Sequence, residues 1–117
     1  MKKQLKLLAV LTLAVSIPLA VWAANAAGTL TADGNTDIDW RPGTKGSIGF
    51  SGDFGGGTVT VFYLVGDTYV AFKNTSGAIS YTDDDGFSFD GVPGSSIRIT
   101  LASSTSPDID YVVREER

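Results

Sequence analysis

The chain reads as all-β: a small antiparallel β-sandwich, Ig-like or jelly-roll-like, of seven to eight strands after an N-terminal hydrophobic helix. Three observations predict this. Beyond residue 26 no stretch places its apolar residues at a helical period. Short runs that alternate apolar and polar residues recur instead, roughly every eight to twelve residues. Turn signals rich in Gly, Pro, Asp and Asn separate them, and all 14 Gly lie beyond residue 27. The runs share no repeated motif, which argues against a solenoid or propeller.

The first element is a leader. Met1 to Lys6 is basic, Leu7 to Val21 is apolar apart from Thr12, Ser16 and Pro18, and Ala24-Asn25-Ala26 offers a small-residue site before Ala27. That order is the order of a secretory signal peptide. It divides the chain into a leader at 1–26 and a β-sandwich domain at 27–117. Left uncleaved, residues 7–24 approach the length of a membrane anchor. Cleavage removes Lys2, Lys3 and Lys6, leaving six cations against thirteen acids, a net charge of -7. An acidic surface disfavours nucleic acid and anionic lipid.

Thr36 to Trp40 opens the domain, with Ile38 and Trp40 on one face and Asp37 and Asp39 on the other. Arg41-Pro42-Gly43 turns the chain. Ser47 to Ser51 alternates again, with Ile48 and Phe50 inward. Gly52 to Gly57 leads into the longest β-branched and aromatic stretch, Thr58 to Phe72. Gly66-Asp67 divides that stretch as a two-residue turn, because Gly66 can take the positive φ of a type II′ hairpin. Val65 then faces Thr68, Tyr63 faces Val70 and Val61 faces Phe72. Opposed residues share a face, so Val59, Val61, Tyr63, Val65, Val70 and Phe72 form a core face. The other face carries Thr58, Thr60, Phe62, Leu64, Tyr69, Ala71 and Lys73. It is polar far from the turn and apolar near it. A covering loop or second sheet explains Phe62, Leu64 and Tyr69; so does an interaction surface.

Later elements are shorter. Ala78 to Tyr81 places Ile79 and Tyr81 inward, and Phe87 and Phe89 flank Ser88 and bury together. Ser95 to Ala102 puts Ile97, Ile99 and Leu101 on one face, with Arg98 and Thr100 on the other. Asp108 to Arg114 closes the domain with Ile109, Tyr111 and Val113 inward, and Glu115 to Arg117 reads as a frayed tail.

The chemistry available is narrow. The chain has no His and no Cys. That removes thiolate chemistry and the commonest general base and metal ligand. The carboxylate pairs Asp37/Asp39 and Asp108/Asp110 are glycosidase-like only in composition; alternate aspartates also protect a strand edge. No base accompanies the serines except Lys45 or Lys73. The glycine loop lacks the Gly-Lys-Ser/Thr of a phosphate loop and precedes a strand rather than a helix. No cofactor or catalytic residue is expected. Calcium has one weak set of candidate ligands, Asp83, Asp84, Asp85 and Asp108, without the ligand order of an EF-hand.

One resemblance covers residues 28–113. Gly52-Asp53-Phe54-Gly55-Gly56-Gly57-Thr58-Val59-Thr60-Val61, Gly77-Ala78-Ile79, Gly86-Phe87-Ser88-Phe89 and Pro93-Gly94-Ser95-Ser96-Ile97-Arg98-Ile99-Thr100-Leu101 follow in that order, then Ser104 to Asp108. The series resembles the small β-sandwich proteins of tailed-phage structural gene modules. The resemblance implies a virion or decoration component without catalytic residues, working through protein subunits as a homo-oligomer or larger assembly. The leader departs from that pattern, since assembly in the cytoplasm needs no signal peptide. An exported envelope or surface adhesion module, binding a glycan or protein partner, is the alternative.

Overall fold

The central hairpin forms in the expected register. A computed structural model describes residues 25–116, so the leader up to residue 24, with its expected helix or anchor, lies outside the described residues. Thr58–Val65 (β4) and Thr68–Ala71 (β5) pair antiparallel, with Val65 opposite Thr68 and Tyr63 opposite Val70. Gly66 takes φ +64° and Asp67 stays at negative φ, as a type II′ turn requires. The ladder continues past β5, where the Phe72 amide donates to the Val61 carbonyl at 3.0 Å.

The remaining strands are Asn25–Leu30 (β1), Gly34–Asp39 (β2), Gly46–Asp53 (β3), Lys73–Asn74 (β6), Gly77–Ala78 (β7), Ser80–Tyr81 (β8), Asp85–Phe89 (β9), Ser96–Ala102 (β10) and Asp108–Glu115 (β11). Sheet I has the order β1-β11-β3-β9. Sheet II has the order β2-β10-β4-β5, with β8 also pairing β4. All the ladders are antiparallel. Chain neighbours at both ends of the domain sit in opposite sheets, the double Greek-key order of a jelly roll rather than an Ig arrangement.

Eleven described strands replace the seven to eight expected. Two causes account for the excess. The outer edge of β4 is shared, with β5 pairing Phe62 to Val65 and β8 pairing Val59 and Thr60; the β6–β7 hairpin leaves the sheet between them. The other cause is β1, an element absent from the sequence reading. The described residues begin within it at Asn25, and the expected processing point after Ala26 lies between two of its residues.

The core lies between the sheets. Sheet I contributes Leu30, Ile48, Phe50, Phe89, Ile109 and Val113; sheet II contributes Ile38, Val59, Val61, Ile97, Ile99 and Leu101. Along one side Tyr63, Phe72, Phe87 and Phe89 form an aromatic seam. Phe72 is its centre, with ring centroids 4.8 Å from Tyr63, 5.1 Å from Phe87 and 5.3 Å from Phe89. Tyr63 and Phe72 belong to sheet II or its continuation, while Phe87 and Phe89 are on β9 of sheet I, so these contacts cross the sandwich. Trp40 extends the seam, 5.5 Å from Phe89, and its Nε1 donates to the Thr44 carbonyl.

Two expectations need correction. Val65 lies on the inward row yet is 43% exposed, at the end of β4 next to the hairpin turn. The C-terminal tail is tied down through Glu116. Glu115 pairs with Gly46 and takes an ion pair from Arg41, and the Glu116 amide donates to the Lys45 carbonyl at 2.9 Å.

The seam and the tip give a paired expectation. Phe72→Ala removes a ring that packs on both sheets and should cost about 3–5 kcal/mol in urea unfolding. Val65→Ala, on the same inward row but exposed, should cost less than about 0.5 kcal/mol.

Candidate functional site

The residues expected to form an interaction surface lie together on the outer face of sheet II. On β4, Val59 and Val61 are fully buried inward, so the alternate residues Phe62 and Leu64 point outward. Register places Phe62 between Arg98 of β10 and Ala71 of β5, and Leu64 beside Tyr69. Phe62, Leu64 and Tyr69 are half-buried.

Their partial cover comes from within the chain. Arg98 sits in register between Asp37 of β2 and Phe62 of β4. Its Nε donates to Asp37 Oδ1 at 2.6 Å and its Nη2 donates to Oδ2 at 2.9 Å, a bidentate pair. The guanidinium carbon lies 3.8 Å from the Tyr69 ring centroid, within cation–π distance. The Tyr69 hydroxyl donates to Ser96 Oγ at 2.9 Å. A chain of contacts thus spans the whole sheet, from Asp37 on β2 through Arg98 on β10, across β4 to Tyr69 on β5. On the far side of Leu64, the backbone at Gly94 approaches so closely that a Cβ there would lie 2.1 Å from the Leu64 carbonyl oxygen. Only glycine permits that approach.

The electrostatics follow the geometry. Hydrogen bonding to Arg98 holds the Asp37 carboxyl below the usual carboxylate range, and the same bonds raise the Arg98 guanidinium further. Away from this cluster the face carries Asp39 beside Ser96 on one side and neutral hydroxyls on the other. Thr60 pairs with Thr100, and the Thr100 hydroxyl donates to Asn35 Oδ1 at 2.8 Å. The sequence places Arg98 on an outward face, but its partner Asp37 is 61 residues away and only the β2–β10 register brings them together.

The candidate calcium ligands have other engagements. Asp84 Oδ1 accepts from the Gly52 amide at 2.9 Å, and Oδ2 accepts from the Ser51 hydroxyl. Asp83 accepts from the Asp84 amide and Asp85 from the Gly86 amide. Asp108 pairs in register with Asp53 at the end of β3. Among the described residues no group of three or more acidic side chains is placed to hold a metal ion. Asp84, Asp85 and Asp110 border a shallow trough on the outer face of sheet I, floored by Gly49 and Gly86. Asp110 accepts there from the Thr29 hydroxyl at 2.9 Å. Asp37 and Asp39 occupy the edge strand β2, and Asp37 is committed to Arg98.

The turn at 103–107 ties two other connections together. Asp33 Oδ1 accepts from the Ser104 amide at 3.0 Å and from its hydroxyl, which holds the Asp33 carboxyl below its ordinary range. The Thr105 amide donates to the Gly55 carbonyl at 2.9 Å. Ser103 and Ser106 both take positive φ in this turn.

Among solved structures, the chain is similar to the SPBc2 prophage-derived protein YomS. The TM-score is 0.53 at 9% identity, over 79% of this chain and 95% of that one. It is also similar to the Bacillus endospore appendages, disulfide-linked pili, at TM-score 0.47 and 17% identity over 78% and 83% of the two chains. A third is PliG of Aeromonas hydrophila, a periplasmic inhibitor of g-type lysozyme, at TM-score 0.44 and 10% identity over 80% and 86%. The likeness to YomS is one of fold. No protein-family model matches the chain, and no curated protein matches it.

The Asp37–Arg98 pair sets a pH expectation. A carboxyl held low in the folded state contributes above its unfolded pKa, and that contribution disappears as pH falls through the folded value. Acidification below about pH 4 should therefore release Arg98 from Asp37 and shift the Tyr69 ring protons by NMR. Asp37→Asn should abolish that step. Both groups are solvent-accessible, so the accompanying change in stability should be small.

Proposed function

We propose that this chain is a non-enzymatic structural and binding module, a phage virion or decoration-type component that acts through protein–protein contacts in a homo-oligomer or larger assembly. The observation that carries the reading is the outer face of sheet II. Phe62, Leu64 and Tyr69 stand side by side there, opposite the core, with the Arg98 guanidinium over the Tyr69 ring. Full burial of such side chains contributes about 1.5–3 kcal/mol each, from which the costs of association are subtracted. Arg and Tyr are the residue types that concentrate binding energy in interfaces. The flanking Thr60, Thr100 and Ser96 supply a polar rim. The phage assignment rests on the turn-and-strand series from Gly52 to Asp108; YomS contributes likeness of fold alone.

A second reading is favoured by a separate observation, the basic, apolar and small-residue order of residues 1–26. On that reading the same face serves an exported envelope or surface module that binds a glycan or a protein partner. Neither reading requires a cofactor, nucleic acid or a catalytic residue. Mass spectrometry of purified phage particles and of the cell envelope separates the two by where the chain is found.

Phe62→Ser/Leu64→Ser tests the face itself. The double variant should keep the circular dichroism of the parent and lose its oligomer or partner in sedimentation. A variant that unfolds as a monomer would make these residues core and end the docking reading.

A further inference from the structure

The four edges of the sandwich are not equally protected. Exposed edges invite pairing with another chain, and proteins blunt them with charge, breaks or short strands. Edge strand β2 carries Asp37 and Asp39, and β9 carries Asp85. The edge opposite β4 is cut into short pieces, β5 and β8, by the β6–β7 hairpin. Strand β1 has none of these devices. It presents Asn25-Ala26-Ala27-Gly28-Thr29-Leu30, six residues with no charge and no proline. One edge of β1 pairs with β11, and no other described residue pairs with its second edge.

The strand is nonetheless firmly placed. Ala26, Gly28 and Leu30 face inward, opposite Val113, Tyr111 and Ile109. Val113 and Ile109 are fully buried, and the Tyr111 ring covers Gly28 so closely that a Cβ there would lie 2.6 Å from its hydroxyl. Ala27 and Thr29 face outward and are exposed. This edge, unpaired among the described residues, therefore has a fixed position and fixed faces, which is what a template for pairing needs.

We infer that β1 pairs antiparallel with β1 of a second copy of this chain, centred on Gly28, joining the two copies of sheet I into one continuous sheet. Antiparallel pairing of a strand with its own copy is two-fold symmetric and closes as a dimer. A one-residue slip would turn inward residues outward. Centring on Gly28 keeps both faces continuous. Ala26 then opposes Leu30 of the copy on the core side, and Ala27 opposes Thr29 on the outer side. No charges meet. This contact uses sheet I and is independent of the sheet II face proposed for docking.

The absence of Cys permits a clean test on the full chain. Directly opposed strand residues have Cα atoms about 4.5–5.5 Å apart, within disulfide reach. Full chains carrying Ala27→Cys, mixed with full chains carrying Thr29→Cys and oxidised, should form the mixed dimer in most molecules, while either alone should form little. Ser88→Cys, exposed on the same sheet, is the control for random collision. In the Phe62→Ser/Leu64→Ser background, where only the β1 contact remains, Ala27→Lys should halve the sedimenting mass without changing the circular dichroism melt. Cross-linking no greater than the Ser88→Cys control, efficient dimer from Ala27→Cys alone, or an unchanged mass for Ala27→Lys in that background overturns the inference. Phe62→Ser/Leu64→Ser should leave the cross-link intact, so a failed docking face and a failed edge pairing give different results.

Discussion

The fold depends on how the side of the sandwich beside β4 is closed. Neither β5 nor β8 is long enough to cover that side of sheet II alone. Phe72 sits at the break between them and bridges it in two ways. Its amide donates to Val61 and its carbonyl accepts from the Ile79 amide, so the backbone passes from one short strand to the next without losing the ladder. Its ring packs on Tyr63 of sheet II and on Phe87 and Phe89 of sheet I. Tilted and edge-to-face aromatic pairs of this kind contribute beyond the area they bury. In a domain with no disulfide, this one residue both continues a sheet and joins the two.

Closing the core in this way leaves both outer faces free to differ. Sheet II carries the Asp37–Arg98–Tyr69 chain beside Phe62 and Leu64. Arginine suits that position because its guanidinium binds a carboxylate bidentately and stacks on a ring at once. The same side chain partly shields the Tyr69 ring. Sheet I is flatter chemically. Gly49 and Gly86 face one another across β3 and β9 and leave a floor without side chains, bordered by aspartates already committed to local hydrogen bonds.

The inner half of this arrangement was legible in the sequence. Period-two alternation gave the inward rows of β3, β4, β10 and β11, and Gly66 gave the hairpin register, because each depends on neighbours a few residues apart. Three features were not legible. Strand β1 is built from Ala, Gly and Asn, weak β-formers, and it owes its place to Tyr111 and Val113 more than 80 residues on. The tail at Glu115 and Glu116 looked free because Arg41 and Lys45, its partners, are distant in sequence. The Arg98 clamp was hidden for the same reason. The sequence showed that a greasy patch faced outward, but not that the chain supplies part of its own cover.

The central claim is that the outer face of sheet II meets another molecule while the seam behind it stays closed. The four tyrosines report both at once, since Tyr69 is on that face, Tyr63 and Tyr81 pack against the core, and Tyr111 is on sheet I. Hydroxyl-radical footprinting of the free and assembled full chain reads each ring separately. The account predicts that assembly protects Tyr69 and leaves Tyr63 and Tyr81 unchanged. Equal labelling of Tyr69 in both states would contradict it.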